Sequence, residues 1–319
     1  MLSQVVELIE KKKAFAITTH VKPDGDGLGS SLGLCWLLKS LGKTADVIVR
    51  GEVPPAYHKL PGVDLIRDVE HLNGSYDAVF LIECSDLERP GIRGLNEAFT
   101  VNIDHHSTGD PFGTINWIDP TASAVGEMIY NLCKAIGGRI TKEIAECVYM
   151  ALVTDTGSFH YSNTTDRTLK VASELVKAGA KPAEISGAVY NNYPWSRIEL
   201  MRRVLDTVKR DETGKIAYMR QTLAMRQESD AIDGDNNGFV NIPLAAREVE
   251  AVIYMREIGA NSYRVSLRSK GDLNVAKIAE RFGGGGHRNA AGLQIDGNWD
   301  DKEAELVSIL QTEIKSRIQ

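Results

Sequence analysis

Three short apolar runs in the first third of the chain each end in groups that bind cations, and this recurrence constrains the fold more than any other feature. Ala14-Phe15-Ala16-Ile17-Thr18-Thr19 leads into His20-Val21-Lys22-Pro23-Asp24-Gly25-Asp26-Gly27. Asp77-Ala78-Val79-Phe80-Leu81-Ile82 ends in Glu83, with Asp86 three residues on, and Phe99-Thr100-Val101-Asn102-Ile103 ends in Asp104-His105-His106. Apolar runs of this length, bounded by turn residues, read as strands buried on both faces of a parallel sheet. Open α/β sheets gather ligand sites at the carboxyl ends of their strands, so three such endings predict one shared pocket.

The segments between the runs agree. Leu28, Leu32, Leu34, Cys35, Leu37 and Leu38 predict a helix ending near Gly42, followed by a strand over 46–49, which makes a βαβ unit. Gly25 and Gly27 free the backbone to fold His20, Asp24 and Asp26 toward one point, although the same letters alone also describe a solvated turn. Helical patterns cover 123–136, 141–153 with Thr141 as its cap, 165–178 and 182–190; the second stops at Thr154-Asp155-Thr156-Gly157 and adds another acid. Residues 1–190 therefore read as an α/β domain with a mainly parallel sheet of about five strands and helices on both faces. A helix over 195–210 carries no catalytic-looking residue, so 191–213 reads as a helical linker. Strands over 215–219, 251–255, 263–268 and 292–295, with helices over 274–282 and from Asp300, make 214–319 a smaller α/β domain with a mixed sheet. A two-domain chain of this kind is expected to place its active site in the cleft between them.

The chain's 319 residues, 43% of them hydrophobic, suffice for two ordinary cores. A formal net charge of -6 excludes a polycation that holds long nucleic acid by counterion release. Cys35, Cys84, Cys133 and Cys147 lack Cys-x-x-Cys spacing and read as reduced, buried thiols of a cytoplasmic protein. The amphipathic N-terminus lacks the order of a secretory signal, and no stretch is long enough to span a membrane. Asp233-Gly234-Asp235-Asn236-Asn237-Gly238 mimics the start of a calcium loop, but its twelfth position is Leu244, so it reads as a surface turn. Trp36, Trp117 and Trp195 read as core or interface, and His160 and Tyr161 as ordinary helix-end aromatics.

His20, Asp24, Asp26, Glu83, Asp104, His105, His106 and Asp155 form the expected constellation. Clustered acids repel and lose hydration when they share a pocket, unless cations neutralise them. Two divalent ions meet that need, and a mixed imidazole and carboxylate set suits Mn²⁺ best, with Mg²⁺, Zn²⁺ or Co²⁺ as substitutes.

His20 to Asp26, Asp104-His105-His106 and Thr154-Asp155-Thr156-Gly157 resemble the successive motifs of the DHH family of phosphoesterases. Gly283-Gly284-Gly285-Gly286-His287 resembles the signature of its C-terminal DHH-associated domain. The match runs in order through almost the whole chain, and the layout is similar to bacterial nanoRNases that also dephosphorylate 3′-phosphoadenosine 5′-phosphate (pAp). The resemblance implies one ion on His20 and Asp24, another on Asp26, His105 and Asp155, and a carboxylate bridging both. That bridge is an Asp in the family, whereas this chain has Glu83, with Asp86 as the alternative. It also implies a metal-activated water attacking phosphorus, Asp104 in a supporting role, and His106 facing substrate, since neighbours on an extended chain point to opposite sides. Gly284, Gly285, Gly286, His287, Arg288 and Arg268 would grip a terminal phosphate. The expected substrates are short oligoribonucleotides such as pApA, or pAp, with a homodimer among the family's properties. The competing readings are a family II inorganic pyrophosphatase and a nucleotide-binding regulator whose Glu83 has cost it turnover.

Overall fold

The computed structural model describes residues 1–106 and 111–317. The chain divides into two compact units, residues 1–192 and 193–319. In the first, helix α1 (Leu2–Lys11) precedes β1 (Ala14–Thr19), α2 (Gly25–Ser40), β2 (Thr44–Val49), β3 (Ile66–Asp68), β4 (Ala78–Ile82), β5 (Thr100–Asp104) and β6 (Ile115–Ile118). Helices α3 (Val125–Ala135), α4 (Lys142–Asp155), α5 (Asp166–Lys177) and α6 (Pro182–Tyr190) complete it. The strand order is β3-β2-β1-β4-β5-β6, with every pair parallel. The order reverses between β1 and β4, and a crevice opens at such a switch point beyond the strand ends.

The sheet has six strands rather than about five. The additional pairing comes from edge strands: β3 has three residues and β6 four, too short and too exposed to show a pattern. Side-chain alternation sends Phe15, Ile17, Phe80 and Ile82 into a core shared with the helices, where α2 is buried through most of its length. The opposite face, with Ala16, Ile48, Val79 and Leu81, is covered by Ile92 and by Leu95 of a single 3-10 turn (Leu95–Glu97), with no α-helix in that cluster. Pro90, Gly91 and Gly94 break helical periodicity in that stretch. Thr141 does cap α4, its hydroxyl accepting from the Ile144 N–H at 3.4 Å. All four cysteines are buried and free.

The second unit contains α7 (Trp195–Leu205), β7 (Lys209–Arg210), β8 (Ile216–Gln221), α8 (Leu223–Glu228), α9 (Asn241–Leu244), β9 (Ala251–Gly259) and β10 (Ser262–Ser269). It continues with α10 (Val275–Glu280), β11 (Gly285–His287), β12 (Ala290–Asp296) and α11 (Trp299–Ser316). Its sheet runs β11-β12-β10-β9-β8-β7 and is mixed, with only β8 and β9 parallel. α10 and α11 pack on one face with Val265, Leu267 and Ile253. On the other face Leu200 and Val204 of α7 pack with Phe239, Met219 and Val252. α7 thus belongs to the core of this unit, and Trp195 at its start is 78% exposed instead of buried. The acidic turn lies at the surface at Asp233, Gly234, Asn237 and Gly238, but Asp235 and Asn236 are buried, and buried Arg197 donates to the carbonyls of Asp235 and Asn237. No helix among the described residues is long and apolar enough to cross a membrane.

Candidate metal centre

β1, β4 and β5 lie side by side, so their carboxyl ends deliver His20, Glu83, and Asp104 with His105 and His106 to one place. The N-terminus of α2 adds Asp24, whose carboxylate accepts from the Gly27 N–H at 3.0 Å, and the buried Asp26. Asp155 arrives as the last residue of α4. Gly27 is required by proximity, because a Cβ there would lie 2.5 Å from Thr19 Oγ1 and 3.3 Å from Glu83 Oε2.

Three ligand-like groups result among the described residues, all sharing Glu83; one is Glu83 with His105 and His106. His20, Asp24 and Glu83 bring ligand atoms within 4.8 Å of one another, and so do Asp26, Glu83, His105 and Asp155. Glu83 adopts a left-handed backbone with φ 57°, rare for a residue with a side chain. Asp86 belongs to none of the groups; its carboxylate accepts from the Glu88 and Arg89 N–H groups at 2.9 and 2.7 Å in a local turn.

His105 Nε2 lies 3.5 Å from Glu83 Oε1, 3.5 Å from Asp155 Oδ2 and 3.9 Å from Asp26 Oδ2. Its Nδ1 donates to the Ala122 carbonyl at 3.2 Å, which fixes the proton there and turns a bare Nε2 lone pair toward carboxylates. His20 is held likewise, Nδ1 donating to the Val21 carbonyl at 3.0 Å. Glu83 Oε2 and His105 Nε2 are buried and have no hydrogen-bond partner among the described residues. Lone pairs facing lone pairs in a buried site call for a cation, so this donor set fits divalent metal ions.

The electrostatics agree. Burial, then Asp26 and Asp24, push the Glu83 pKa well above the carboxylate range. Burial and Asp26 push Asp155 up to about 7. Burial also raises Asp26, against the pull of His105 and the Ser30 hydroxyl. For Asp24 burial is outweighed by His20 and the Gly27 N–H, and its pKa falls to about 2.

His105 and His106 do not point to opposite sides: their ring centroids are 4.6 Å apart, and His106 also comes within ligand range of Glu83 and His105. The chain has left the strand after Asp104, so alternation no longer applies. His106 turns back instead, its Nδ1 and backbone N–H donating to Asp104 Oδ1 at 2.8 and 3.0 Å. Asp104 thereby raises the His106 pKa.

Several supporting residues escaped the sequence reading. Asp26 Oδ2 accepts from the Val125 N–H at 2.6 Å and Oδ1 from Gly126 at 3.0 Å, so the N-terminus of α3 clamps it. Asn163 Nδ2 donates to the Ser123 carbonyl, the Asp155 carbonyl and Asp155 Oδ2 at 3.0, 3.1 and 3.4 Å. Only the polar stretch Ser162-Asn163-Thr164-Thr165 near Asp155 hinted at this. His160 and Tyr161 lie in the exposed turn beyond α4, with rings 6.2 Å apart.

In the second unit the last two glycines of the run, Gly285 and Gly286, begin edge strand β11, and Gly283 and Gly284 lead into it. Cβ atoms on Gly284 and Gly286 would lie 2.3 Å and 2.4 Å from the Gly292 and Ala290 carbonyl oxygens, so this hairpin closes only with glycine there. His287, Ala290 and Arg268 stand in register across β11, β12 and β10, which puts the imidazole and the guanidinium on one face. Arg268 is half-buried and donates to the Leu267 carbonyl at 3.0 Å. Gly285 is exposed at the sheet edge, and Arg288 pairs with Asp272 at 2.9 Å.

Residues 14–152 match the family model of the DHH family, N-terminal domain, and residues 215–316 match the DHHA1 domain. The chain is 35% identical to the bifunctional oligoribonuclease and PAP phosphatase NrnA of Thermus thermophilus, over 96% of this chain and 91% of that one. It is 27% identical to the protein of the same name from Bacillus subtilis, over 97% of each. The crystal structure of an exopolyphosphatase-related protein from Bacteroides fragilis superposes with a TM-score of 0.90 at 30% identity, covering 98% of this chain and 95% of the other.

Proposed function

Since this chain belongs to the DHH family of phosphoesterases, we propose that it hydrolyses short oligoribonucleotides such as pApA, and pAp, to mononucleotides with two Mn²⁺ ions. The observation that carries the reading is the buried carboxylate of Glu83, common to the three ligand groups and unpartnered at Oε2. His20 and Asp24 would hold one ion and Asp26, His105 and Asp155 the other, with Glu83 within reach of both groups. When bound, such a pair lowers the pKa of a shared water and offsets charge on the phosphoryl oxygens.

The chain's own groups do the rest. Asp104 fixes His106 with Nδ1 as donor and favours its protonated form, so Nε2–H is left to donate to the leaving ribose oxygen. His105, tied at Nδ1 to Ala122, keeps Nε2 for coordination. Asn163 holds Asp155, and the α3 N-terminus holds Asp26, so both carboxylates are oriented before a ligand arrives. Arg268 and His287 supply cationic and hydrogen-bonding groups for a terminal phosphate, with the outward N–H groups of the β11 edge beside them. Arg288, engaged by Asp272, contributes charge at longer range. The homodimer implied by the family resemblance is part of this reading, and sedimentation of the purified protein tests it.

The decisive assay follows AMP release from pApA and phosphate release from pAp with Mn²⁺, Mg²⁺ or Co²⁺ added to chelator-treated protein. Turnover of both, abolished by chelator, is expected. Hydrolysis of pyrophosphate with neither nucleotide cleaved would support the pyrophosphatase reading. Binding of pAp without turnover by either the wild type or Glu83→Asp would support the regulator.

A further inference from the structure

Beyond the Arg268 and His287 row, the same face of the C-terminal sheet carries a second cationic row. Gln294, Arg264, Arg256 and Gln221 stand in register across β12, β10, β9 and β8. Residues in register share a face, so two guanidinium groups are neighbours on adjacent antiparallel strands. Like charges placed opposite each other destabilise a sheet. Among the described residues neither arginine makes an ion pair, and the carboxylate that acts on Arg256, Asp233, does so only at a distance. Asp233 itself is paired with Arg226 at 2.5 Å.

Arg256 is held in place rather than loose on the surface. Its Nη1 donates to Asn236 Oδ1 at 3.3 Å and its Nη2 to Ser266 Oγ at 3.5 Å. The guanidinium sits 5.6 Å from the Tyr254 ring centroid, and its Nε is buried without a partner. Asn236 is fixed in turn by donating to Gln221 Oε1 at 3.1 Å, which also accepts from the Tyr254 hydroxyl. The Asp233–Gly238 turn, which resembles a calcium loop in sequence, thus serves to present an amide to an arginine. Every group that touches Arg256 is neutral, and Arg264 beside it is exposed. A positioned, half-buried cation with only neutral contacts, next to a free one, is a site for an anion.

We propose that Arg264 and Arg256 form a second phosphate subsite, which takes a phosphodiester of the nucleotide ligand remote from the phosphate at Arg268. Arg264 and Arg268 are four residues apart on β10, about 14 Å along an antiparallel strand, and Arg256 is tied to Asn236 and Ser266 beside Arg264, which sets this pair apart from Arg268. The subsite therefore favours ligands whose phosphates are spread along a chain over pAp, whose phosphates share one ribose. In naming the ligand it rests on the phosphoesterase reading above.

The test compares wild type, Arg264→Gln and Arg264→Lys on pAp and on 5′-phosphorylated tetra-adenylate with Mn²⁺. Arg264 is exposed, so its replacement leaves the fold intact. Arg264→Gln is expected to raise KM for the tetranucleotide about tenfold with kcat unchanged, to leave pAp kinetics alone, and to be partly rescued in Arg264→Lys. An equal effect on both substrates, or none on the tetranucleotide, overturns the subsite. A second arm measures fluorescence anisotropy of labelled tetra-adenylate in chelator. There Arg264→Gln should weaken binding and reduce the slope of log affinity against log salt by about one. If wild type cleaves neither substrate yet shows this binding difference, the phosphoesterase reading fails and the subsite stands. Equal affinities, or no wild-type binding, overturn the subsite.

Discussion

At Glu83 a left-handed backbone, a carboxylate common to three ligand groups and a buried, unpartnered oxygen coincide. Strained conformations of this kind persist where the surroundings over-determine them, commonly at functional sites. The metal-free protein bears a cost for the cluster, and its sign follows from the pKa values. Glu83 and Asp155 titrate above their unfolded values near 4, Asp155 at about 7. At these two groups the folded state retains protons that the unfolded chain releases, so their contribution to stability is full below about pH 4 and declines as pH rises toward 7. Chelator-treated protein should accordingly melt lower at pH 7 than at pH 5. Glu83→Gln should flatten that dependence and raise the pH 7 melting temperature by about 2–4 °C, while activity falls more than about 100-fold. Asn163→Ala, which frees Asp155 without removing a ligand, should weaken Mn²⁺ binding by about 10–100-fold in a calorimetric titration.

At the scale of elements, the glycine hairpin separates packing from flexibility. No heavy atom lies within 4 Å of a Cβ built on Gly285, whereas at Gly286 the Cβ would strike the Ala290 carbonyl oxygen and φ is 144°. Gly285→Ala should change stability by less than about 0.5 kcal/mol, and Gly286→Ala should cost about 1–3 kcal/mol, both measurable by urea unfolding. How much of each element could be read beforehand follows the range of its cause. β1, β4 and β5 announce themselves because a doubly buried strand is a continuous apolar run, and the residues after them mark the pocket. β3 and β6 do not, since edge strands take their definition from a neighbour. The clamp on Asp26 joins residues about 100 positions apart and leaves no local pattern. The turn at Asp233–Gly238 is a surface turn as its letters suggest, but buried Arg197 and Gln221, distant in sequence, draw Asp235 and Asn236 inward and leave no local sign of it.

Over the whole molecule, two compact units, each with its own buried clusters on both faces of its sheet, predict two unfolding events. All the proposed metal ligands lie in the first unit. Calorimetry should therefore resolve two transitions, with Mn²⁺ at 100 times its Kd stabilising one of them by about 2.7 kcal/mol and leaving the other in place. A single transition shifted as a whole would mean that the units unfold together.

The count of acids in the pocket has a consequence for turnover. Asp24, Asp26, Glu83 and Asp155 together carry four negative charges when ionised, and the two histidines of the proposed ligand sets, His20 and His105, are neutral ligands. Two divalent ions bring four positive charges, so only double occupancy makes the pocket electroneutral. With one ion aboard, up to two negative charges remain when the acids ionise, and they oppose the phosphate of the proposed substrate. Half-loaded protein is then not half as active but nearly inert, and its rate should climb as the square of metal concentration in the dilute limit.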